Sequence, residues 1–266
     1  MLDLDAEVAA GQLAELTARI ADLARDHSVR DILDIGAGTG TGTFALLRRF
    51  PEASVTAIDT SDEMLRHLQD SATRHGLADR IRPLRADLDE AWPPGTGQAD
   101  LVWASSSMHH MADPDRVLRD IHATLRPGGL LTVIEMEQMP RFLPDDLGFG
   151  RPGMEARCHV LLDRARAEHL PHIGSDWPSR LTAAGFTISE SREVTVGLQS
   201  PLPETAIRYA YATLGRIRSR LADDLSPEDR STLDALLAKD SPNALHTRSD
   251  LQVLSTRAVW IATRHE

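Results

Sequence analysis

The sequence predicts an α/β fold with an open, doubly wound sheet. Residues 31–43 combine a short apolar strand with a turn that holds three glycines, and the helix that follows is ended by Pro51. A second strand over 53–59 ends in Asp59, 23 residues after Gly36, which suits one β-α-β unit. Five further segments have strand character and alternate with helical patterns, which makes seven strands: 80–86, 99–104, 130–135, 186–196 and 257–264.

Helical periodicity connects these strands. An N-terminal helix is expected within residues 1–28, ending near Asp26, and it either packs on the core or covers a ligand pocket. Its apolar face is formed by Leu13, Leu16, Ile20 and Leu23. Ser61 is expected to cap a helix that runs to about Gly76. Further helices are expected over 115–126, 154–169, 177–184 and in two parts of 203–238.

Charge and cysteine content exclude several classes of partner. The chain has 266 residues, 40 of them acidic and 29 basic, with a formal net charge of −11. This balance argues against a sequence-independent grip on nucleic-acid phosphates or on an anionic membrane. Cys158 has no partner for an internal disulfide, no apolar run approaches a transmembrane length, and no metal-ligand spacing is present. We therefore expect a soluble cytoplasmic protein, monomeric or homodimeric, without nucleic-acid, membrane or metal partners.

The glycine turn indicates what kind of ligand the sheet binds. Gly36, Gly38 and Gly40 lack the Cβ atoms that would hold a ligand away from the backbone. The dinucleotide fingerprint requires a glycine three residues after its second glycine, and threonine occupies that position in both registers. Asp34, near the end of the strand, would repel a pyrophosphate and attract an ammonium group. A cationic nucleoside without phosphates therefore fits this turn better than a dinucleotide.

The motif Asp-x-Gly-x-Gly-x-Gly over residues 34–40 resembles the first motif of class I S-adenosylmethionine (SAM)-dependent methyltransferases. The run Leu-Arg-Pro-Gly-Gly-Leu-Leu before Glu135 resembles a later motif of that family, and Met-His-His-Met at 108–111 is similar to the group with quinone and natural-product O-methyltransferases. The resemblance implies a Rossmann-like, seven-stranded doubly wound sheet with a helical lid insertion. It also implies SAM as cofactor, S-adenosylhomocysteine as product, and O-methylation of a small quinone-like or secondary metabolite. N- or C-methylation, and a SAM-binding cyclase-like protein on the same fold, stay open as alternatives.

The resemblance also implies cofactor contacts. In this family an acid after the third strand receives the adenine amino group, and Asp87 occupies that place. A carboxylate at the end of the second strand can accept both ribose hydroxyls, which indicates Asp59. Met64 either flanks the adenine or belongs to the core. The expected cofactor residues are Asp34, Gly36, Ala37, Gly38, Gly40, Asp59, Thr60, Met64, Ala86, Asp87, Leu88 and Ser105.

A catalytic base is expected just after the fourth strand. A hydroxyl nucleophile must lose its proton, and an imidazole titrates near the working pH, so His109 and His110 are the candidates. Glu135 ends the neighbouring strand and can orient one of the two rings. Adjacent residues of an extended segment point to opposite sides, so only one histidine is expected to face the substrate, with His110 slightly favoured. The alternative is that neither histidine acts and proximity alone carries the reaction.

The chain is expected to form a single methyltransferase domain over 1–266. Its core is expected over 29–137, 177–199 and 247–266, and the segments 138–176 and 200–246 are expected to form a lid that is mobile without ligand. Glycines and prolines concentrated at 139–153 suggest this mobility. Basic side chains of the lid either bind an acidic substrate or form a solvated helix face: Arg157, His159, Arg164, Arg166, His169 and His172. Tyr209 is expected to contact the substrate or to lie on the surface.

Overall fold

The computed structural model describes residues 2–25, 28–136 and 138–265. Its helices are α1 (Leu2–Val8), α2 (Ala10–Leu23), α3 (Thr41–Arg49), α4 (Asp62–Arg74), α5 (Pro114–Thr124), α6 (Met154–Ala167), α7 (Trp177–Ala183), α8 (Glu204–Arg220) and α9 (Pro227–Leu237). Its strands are β1 (Asp31–Ile35), β2 (Ser54–Asp59), β3 (Ile81–Arg85), β4 (Ala99–Ser105), β5 (Leu125–Met136), β6 (Phe186–Gln199) and β7 (Gln252–Arg264). Single 3₁₀ turns lie at Ala78–Arg80, Met108–His110 and Leu245–Thr247.

The strands form one seven-stranded sheet in the order β3-β2-β1-β4-β5-β7-β6. The first five strands of this order are parallel, and β7 runs antiparallel to both of its neighbours. The chain starts in the middle of the sheet, moves outward through β2 and β3, and then crosses to β4. The predicted α/β fold with a doubly wound, seven-stranded sheet is therefore confirmed.

Side-chain caps stand at the starts of α4, α5, α7 and α9. Ser61 Oγ accepts a hydrogen bond from the Met64 backbone N–H at 3.3 Å, so the predicted cap of α4 is present. Asp113 caps α5 in the same way, and Ser226 caps α9. Such caps satisfy backbone donors that have no partner within the helix.

Two apolar layers cover the faces of the sheet. Ile32 belongs to the cluster that includes Ile20 of α2 and Leu46 of α3, and its neighbour Leu33 belongs to the cluster that includes Trp177 of α7. All five side chains are at most 2% exposed. Adjacent strand residues point to opposite faces, so a strand buried on both sides has an apolar run without alternation.

Three predicted boundaries were wrong. The N-terminal helix is interrupted at Ala9 and forms α1 and α2, while the predicted end at Asp26 lies outside the described residues. β5 begins at Leu125 because the Arg-Pro-Gly-Gly run continues the strand through a register shift against β4. β7 begins at Gln252 because it pairs with β6 along its whole length, in a stretch with many polar residues that hid the strand pattern.

A third apolar cluster joins α6, α8 and α9 to the segment after β5 and includes Val253 of β7. Phe142 and Leu143 are at most 1% exposed, and their backbone N–H groups donate to the buried carboxylate of Glu155 at 2.9 and 3.1 Å. Burial raises the pKa of Glu155 to about 7. The glycine- and proline-rich segment is thus anchored at this point. No helix among the described residues is both long and apolar enough to cross a membrane.

Candidate active site

The site lies where the winding of the sheet reverses, between β1 and β4. Open α/β sheets form a crevice at this point, outside the carboxyl ends of the strands. A Cβ atom on Gly36 would lie 2.5 Å from Ser107 Cβ, so only glycine permits this approach of the two chain segments. Ser106 has φ +52°, a left-handed conformation that is unusual for a non-glycine residue. The backbone after β4 therefore turns sharply beside the glycine turn.

Backbone hydrogen bonds hold the glycine turn over β2. Gly36, Gly38 and Gly40 have φ values of +68°, +54° and +92°. The Gly36 N–H donates to the Ile58 carbonyl at 2.9 Å. The Gly38 N–H donates to Asp59 Oδ2 at 2.9 Å. Residues other than glycine rarely adopt positive φ, which explains why glycine occupies these three positions.

A cleft of about 540 Å³ lies on the β2–β3 side of this turn. Its volume is within the usual range of small-molecule sites. The structure brings together most of the predicted cofactor residues along its wall: Gly36, Gly38, Asp59, Thr60, Met64, Ala86, Asp87, Leu88 and Ser105. Asp59 is half-buried and Asp87 is exposed. Asp59 Oδ1 also accepts from the Ser61 N–H at 2.9 Å, and a carboxylate has about four acceptor positions, so it retains capacity for a ligand.

A second cavity of about 150 Å³ lies on the other side of the turn. It shares Gly36, Gly38, Ser105 and Ser106 with the first, so both cavities border the same glycine turn. Asp34, Ala37, Trp103 and Ile134 line it too, with Thr39, Thr41 and Gly42 of the turn and the start of α3. Residues of α1, α2, their junction, β6 and β7 form the rest of its wall: Asp5, Ala6, Ala9, Gln12, Leu13, Leu16, Val194, Val196, Arg257 and Val259. The N-terminal helices therefore cover this part of the site.

Asp34 is a buried carboxyl group on the wall of this smaller cavity. It is 2% exposed, and its Oδ2 accepts a hydrogen bond from Thr43 Oγ1 at 2.6 Å. Burial raises the pKa of Asp34 to about 6, and the nearby charge of Asp59 acts in the same direction. A buried carboxylate without a cationic partner favours the protonated form. An ammonium group of a ligand would supply that partner.

His109 and His110 lie together in the 3₁₀ turn after β4, with ring centroids 4.2 Å apart. Glu135 receives hydrogen bonds from both the backbone N–H and the ring Nδ1 of His109. His109 is 7% exposed, whereas His110 is exposed and lines the larger cleft. Loss of water contact on one side of the ring, and then the charge of His109, lower the pKa of His110, which favours the neutral imidazole at pH 7. The prediction of an extended segment with oppositely directed rings was wrong because a 3₁₀ turn places both rings side by side.

Comparison with known proteins agrees with this geometry. Residues 32–129 match the family described as "Methyltransferase domain". This part of the chain therefore resembles a methyltransferase domain. The match spans β1 to the first part of β5 and confirms the predicted resemblance to SAM-dependent methyltransferases, with SAM as the cofactor.

Individual relatives of this methyltransferase domain are similar over part of their length. The chain is 36% identical over 125 residues to a malonyl-[acyl-carrier protein] O-methyltransferase of Laribacter hongkongensis, which covers 45% of this chain and 41% of that protein. It is 31% identical over 176 residues to the methyltransferase GfsG of Streptomyces halstedii, covering 65% of this chain and 58% of that protein. The aligned region is thus about half the length of these curated relatives.

Solved structures share the fold at low sequence identity. A protein of Galdieria sulphuraria, provisionally named a sarcosine dimethylglycine methyltransferase, aligns with TM-score 0.59 and 18% identity over 97% of this chain and 87% of that chain. The [4+2]-cyclase SpnF aligns with TM-score 0.54 and 22% identity over 95% and 80% of the two chains. The same fold therefore occurs in proteins that are named for different activities.

Several predicted site residues of the methyltransferase domain lie outside both cavities. Gly40 is the N-cap of α3. A Cβ atom there would lie 2.9 Å from Leu68 Cγ, so glycine is required at this position for α3 to pack against Leu68. His109 and Glu135 contact each other and line neither cavity. No described residue of 138–176 or 200–246 lines either cavity, and the function of these segments as a lid stays a prediction. Tyr209, expected at the substrate or the surface, is 3% exposed and bonded to Asp5 at 2.8 Å.

Sequence reasoning missed three residues of the site. Trp103 of β4 lines the smaller cavity, and Gly42 lies so close that an added Cβ would be 2.4 Å from Trp103 Nε1. Asp5 and Arg257 line the same cavity from α1 and β7. Arg257 could have been found from the sequence. A last strand that runs antiparallel to the others begins at the edge where the parallel strands end, and Arg257 lies near that beginning. No comparable signal was available for Asp5.

Proposed function

We propose that this chain is a SAM-dependent methyltransferase that methylates an oxygen atom of a small, partly apolar molecule. One observation carries the proposal: two cavities meet at a glycine turn on the reversal point of the sheet, with carboxylates on both sides and an imidazole beside them. Ligands bind at this point in open α/β sheets. SAM supplies an electrophilic methyl group when bound there.

The residues of the two cavities fit such a cofactor. The larger cleft suits the nucleoside part of the cofactor. There Asp59 would accept hydrogen bonds from the ribose hydroxyls, and Asp87 would accept one from the adenine amino group. Met64 and Leu88 supply apolar walls for the ring. On the other side of the turn, buried Asp34 faces the smaller cavity and suits the ammonium of the amino-acid part.

His110 is the proton acceptor in this proposal. It lines the cleft, and its lowered pKa keeps the ring neutral at pH 7, so a nitrogen lone pair is available for the proton of a substrate hydroxyl. His109 positions this ring by packing against it and is itself held by Glu135. The low pKa predicts that turnover falls only when the pH drops below the usual imidazole range.

Oxygen is the favoured acceptor atom for two reasons. A hydroxyl group needs a nearby base to remove its proton before it can attack the methyl group, whereas an unprotonated amine does not. A relative with 36% identity is named an O-methyltransferase. The proposed setting is small-molecule or natural-product metabolism in the cytoplasm. N- and C-methylation are the alternatives within the same reaction class.

A cyclase-like protein that binds SAM without transferring its methyl group is the second candidate, because SpnF shares the fold. The test is incubation of the purified protein with SAM and a panel of hydroxylated aromatics, glycosides, quinones and carboxylic acids, followed by mass spectrometry. A product heavier by one methyl group, with release of S-adenosylhomocysteine, supports the methyltransferase. An isomeric product without S-adenosylhomocysteine supports the cyclase-like candidate and contradicts our proposal.

A further inference from the structure

The last turn of α6 carries two arginines that differ in their surroundings. Arg166 is half-buried, whereas Arg164 is exposed. Glu155 and Leu162 are buried, and with Arg166 they recur at the spacing of one helix face. Two residues further along a helix correspond to a rotation of about 200°, so Arg164 projects from the opposite side. Arg166 therefore continues the inward face of α6, and Arg164 belongs to its outer face.

The guanidinium of Arg166 has no hydrogen-bond or ion-pair partner among the described residues. Other half-buried arginines of this region do have one: Arg157 is paired with Asp229 at 2.5 Å, and Arg180 with Asp115 at 2.6 Å. A charged group that loses part of its water contact normally gains such a partner, because burial of an unpaired charge costs free energy. All N–H donors of Arg166 are thus available to a ligand.

His172 fixes the position of this end of α6 beside the larger cleft. Its Nε2 donates to the Ala112 carbonyl at 3.3 Å, and its Nδ1 accepts from Arg180 at 3.3 Å. Ala112 closely follows His110 in the sequence, and His172 closely follows Arg166. In agreement with this placement, the charge of Arg166 is one of those that lower the pKa of His110. Arg166 does not line the cleft itself, so it can contact a part of an acceptor that extends beyond it.

The charges around the larger cleft favour a ligand group with a single negative charge at Arg166. No lysine or arginine among the described residues lines this cleft, and its wall contains the carboxylates of Asp59, Asp87 and Asp89. Asp89 lies close to the contact made by His172, because its Oδ1 accepts from the Ala112 N–H at 2.8 Å. One guanidinium can balance one negative charge there, whereas a doubly charged phosphate would also be repelled by the acidic wall.

We propose that Arg166 binds a carboxylate of the methyl acceptor while a hydroxyl group of the same molecule faces His110. The substrate class is then a hydroxylated carboxylic acid, and this inference rests on the function proposed above. A carboxylate matches the planar fork of a guanidinium, which can donate two parallel hydrogen bonds to it. The purely structural alternative is that Arg166 only stabilises the end of α6, where a cation is favourable. Arg164 in the same turn serves that purpose without being half-buried.

Binding of hydroxy acids and of their neutral amides tests the proposal on the protein saturated with S-adenosylhomocysteine. The amino-acid part of this product should fill the smaller cavity, which keeps the probes away from Arg257. Calorimetry compares 4-hydroxybenzoate, 4-hydroxyphenylacetate and 4-hydroxycinnamate with the corresponding amides, so that the distance between hydroxyl and carboxylate varies. We expect at least one acid to bind at least ten times more tightly than its amide. The phosphate monoester 4-hydroxybenzyl phosphate should bind more weakly than that acid.

Variants of the two arginines assign this preference to one side chain. Arg166→Gln should reduce the preference for the acid at least tenfold, and Arg166→Lys should retain only part of it, because the charge remains while the fork is lost. Arg164→Gln is the matched control, since it removes the same charge from the same turn and should leave the preference unchanged. In an NMR titration without ligands, the pKa of His110 should rise in Arg166→Gln and not in Arg164→Gln, while His109 and Glu135 act on it equally in both.

A purely structural Arg166 predicts that Arg166→Gln loses stability and keeps the preference for the acid, and this result would overturn the proposal. It is also overturned if no acid is preferred over its amide, or if the phosphate monoester binds more tightly than the acid. S-adenosylhomocysteine binding by the wild type tests the methyltransferase separately. Its absence would contradict the function proposed above, whereas its presence without a preference for acids would contradict only the present inference.

Discussion

Asp34 offers the most quantitative test of the cofactor site. Asp34→Asn keeps the shape of the side chain and an oxygen that can accept from the Thr43 hydroxyl, and it removes the ionisable group. If the ammonium of a ligand is the partner that this buried carboxylate requires, the substitution should weaken ligand binding. It should also remove a pH-dependent cost from the ligand-free protein.

The size of that cost follows from the pKa of Asp34. Burial raises this pKa from 3.8 to about 6, so the folded state binds the proton more tightly than the unfolded chain. The stability gained from this proton is fully present below pH 4 and is lost as the pH rises through about 6. The pKa difference corresponds to about 3 kcal/mol in the free energy of unfolding, of which about 2–3 kcal/mol is lost between pH 4 and pH 8.

Chemical denaturation of the wild type and Asp34→Asn at pH 4, 6 and 8 measures this loss. The free energy of unfolding of the variant should rise relative to the wild type by about 2–3 kcal/mol between pH 4 and 8. A constant cost of burying the amide cancels, because it is the same at every pH. Asp100→Asn is a matched control with the opposite trend, since hydrogen bonds from Asp31, Arg30 and Arg126 outweigh burial and lower the pKa of Asp100.

Calorimetry with S-adenosylhomocysteine completes the test, because this product retains the ammonium group. Loss of a charged hydrogen-bond partner should cost the variant about 1.5–3 kcal/mol of binding free energy at pH 8. Two results together would refute the reasoning. These are a difference in stability that does not change with pH and an unchanged affinity for S-adenosylhomocysteine, which would make Asp34 a structural partner of Thr43 only.

Three further predictions follow from the site. Asp59→Ala should weaken SAM binding by about 2–3 kcal/mol in calorimetry, since it leaves two ribose hydroxyls without their acceptor, and unchanged affinity would contradict the placement. His110→Ala should lower kcat about 10²-fold with SAM affinity nearly unchanged, whereas near wild-type turnover of this variant, of His109→Ala and of the double variant across pH 6–9 would mean that no base is needed. Hydrogen exchange over 139–176 and 200–246 should slow when cofactor and substrate bind, and equal protection with and without ligands would indicate a preformed site.

The features that could be predicted from the sequence are those coded locally. The strand, glycine turn and helix around Gly36 depend on neighbouring residues, and the structure has them where the pattern indicates. Asp59 and Asp87 follow strand ends, and parallel strands bring such ends to one edge, so their common cleft was predictable. The same local logic identified the Ser61 cap.

The features that could not be predicted depend on contacts between distant parts of the chain. Asp5 pairs with Arg257 across 252 positions, and nothing in the sequence near either residue indicates the other. The Glu155 carboxylate lies only 13 positions from Phe142, but it accepts from the backbone of an irregular segment, which has no periodic pattern to predict it from. The 3₁₀ turn at 108–110 escaped prediction for a different reason, since a single turn leaves no periodic pattern.

The charges of Asp34 and Arg257 indicate what kind of group the smaller cavity suits. In the ligand-free protein Asp34 is bonded to a neutral hydroxyl, and Arg257 is bonded to a carboxylate that Tyr209 also holds. Neither charged group has its best partner. Asp34 lacks a cation, and Arg257 lacks an anion that can bind both Nε and Nη2. The amino-acid part of the proposed cofactor carries both an ammonium and a carboxylate, so it would supply a partner for each. Asp34 and Arg257 line the same small cavity on one side of the glycine turn, so both charges of one such group would find a partner there.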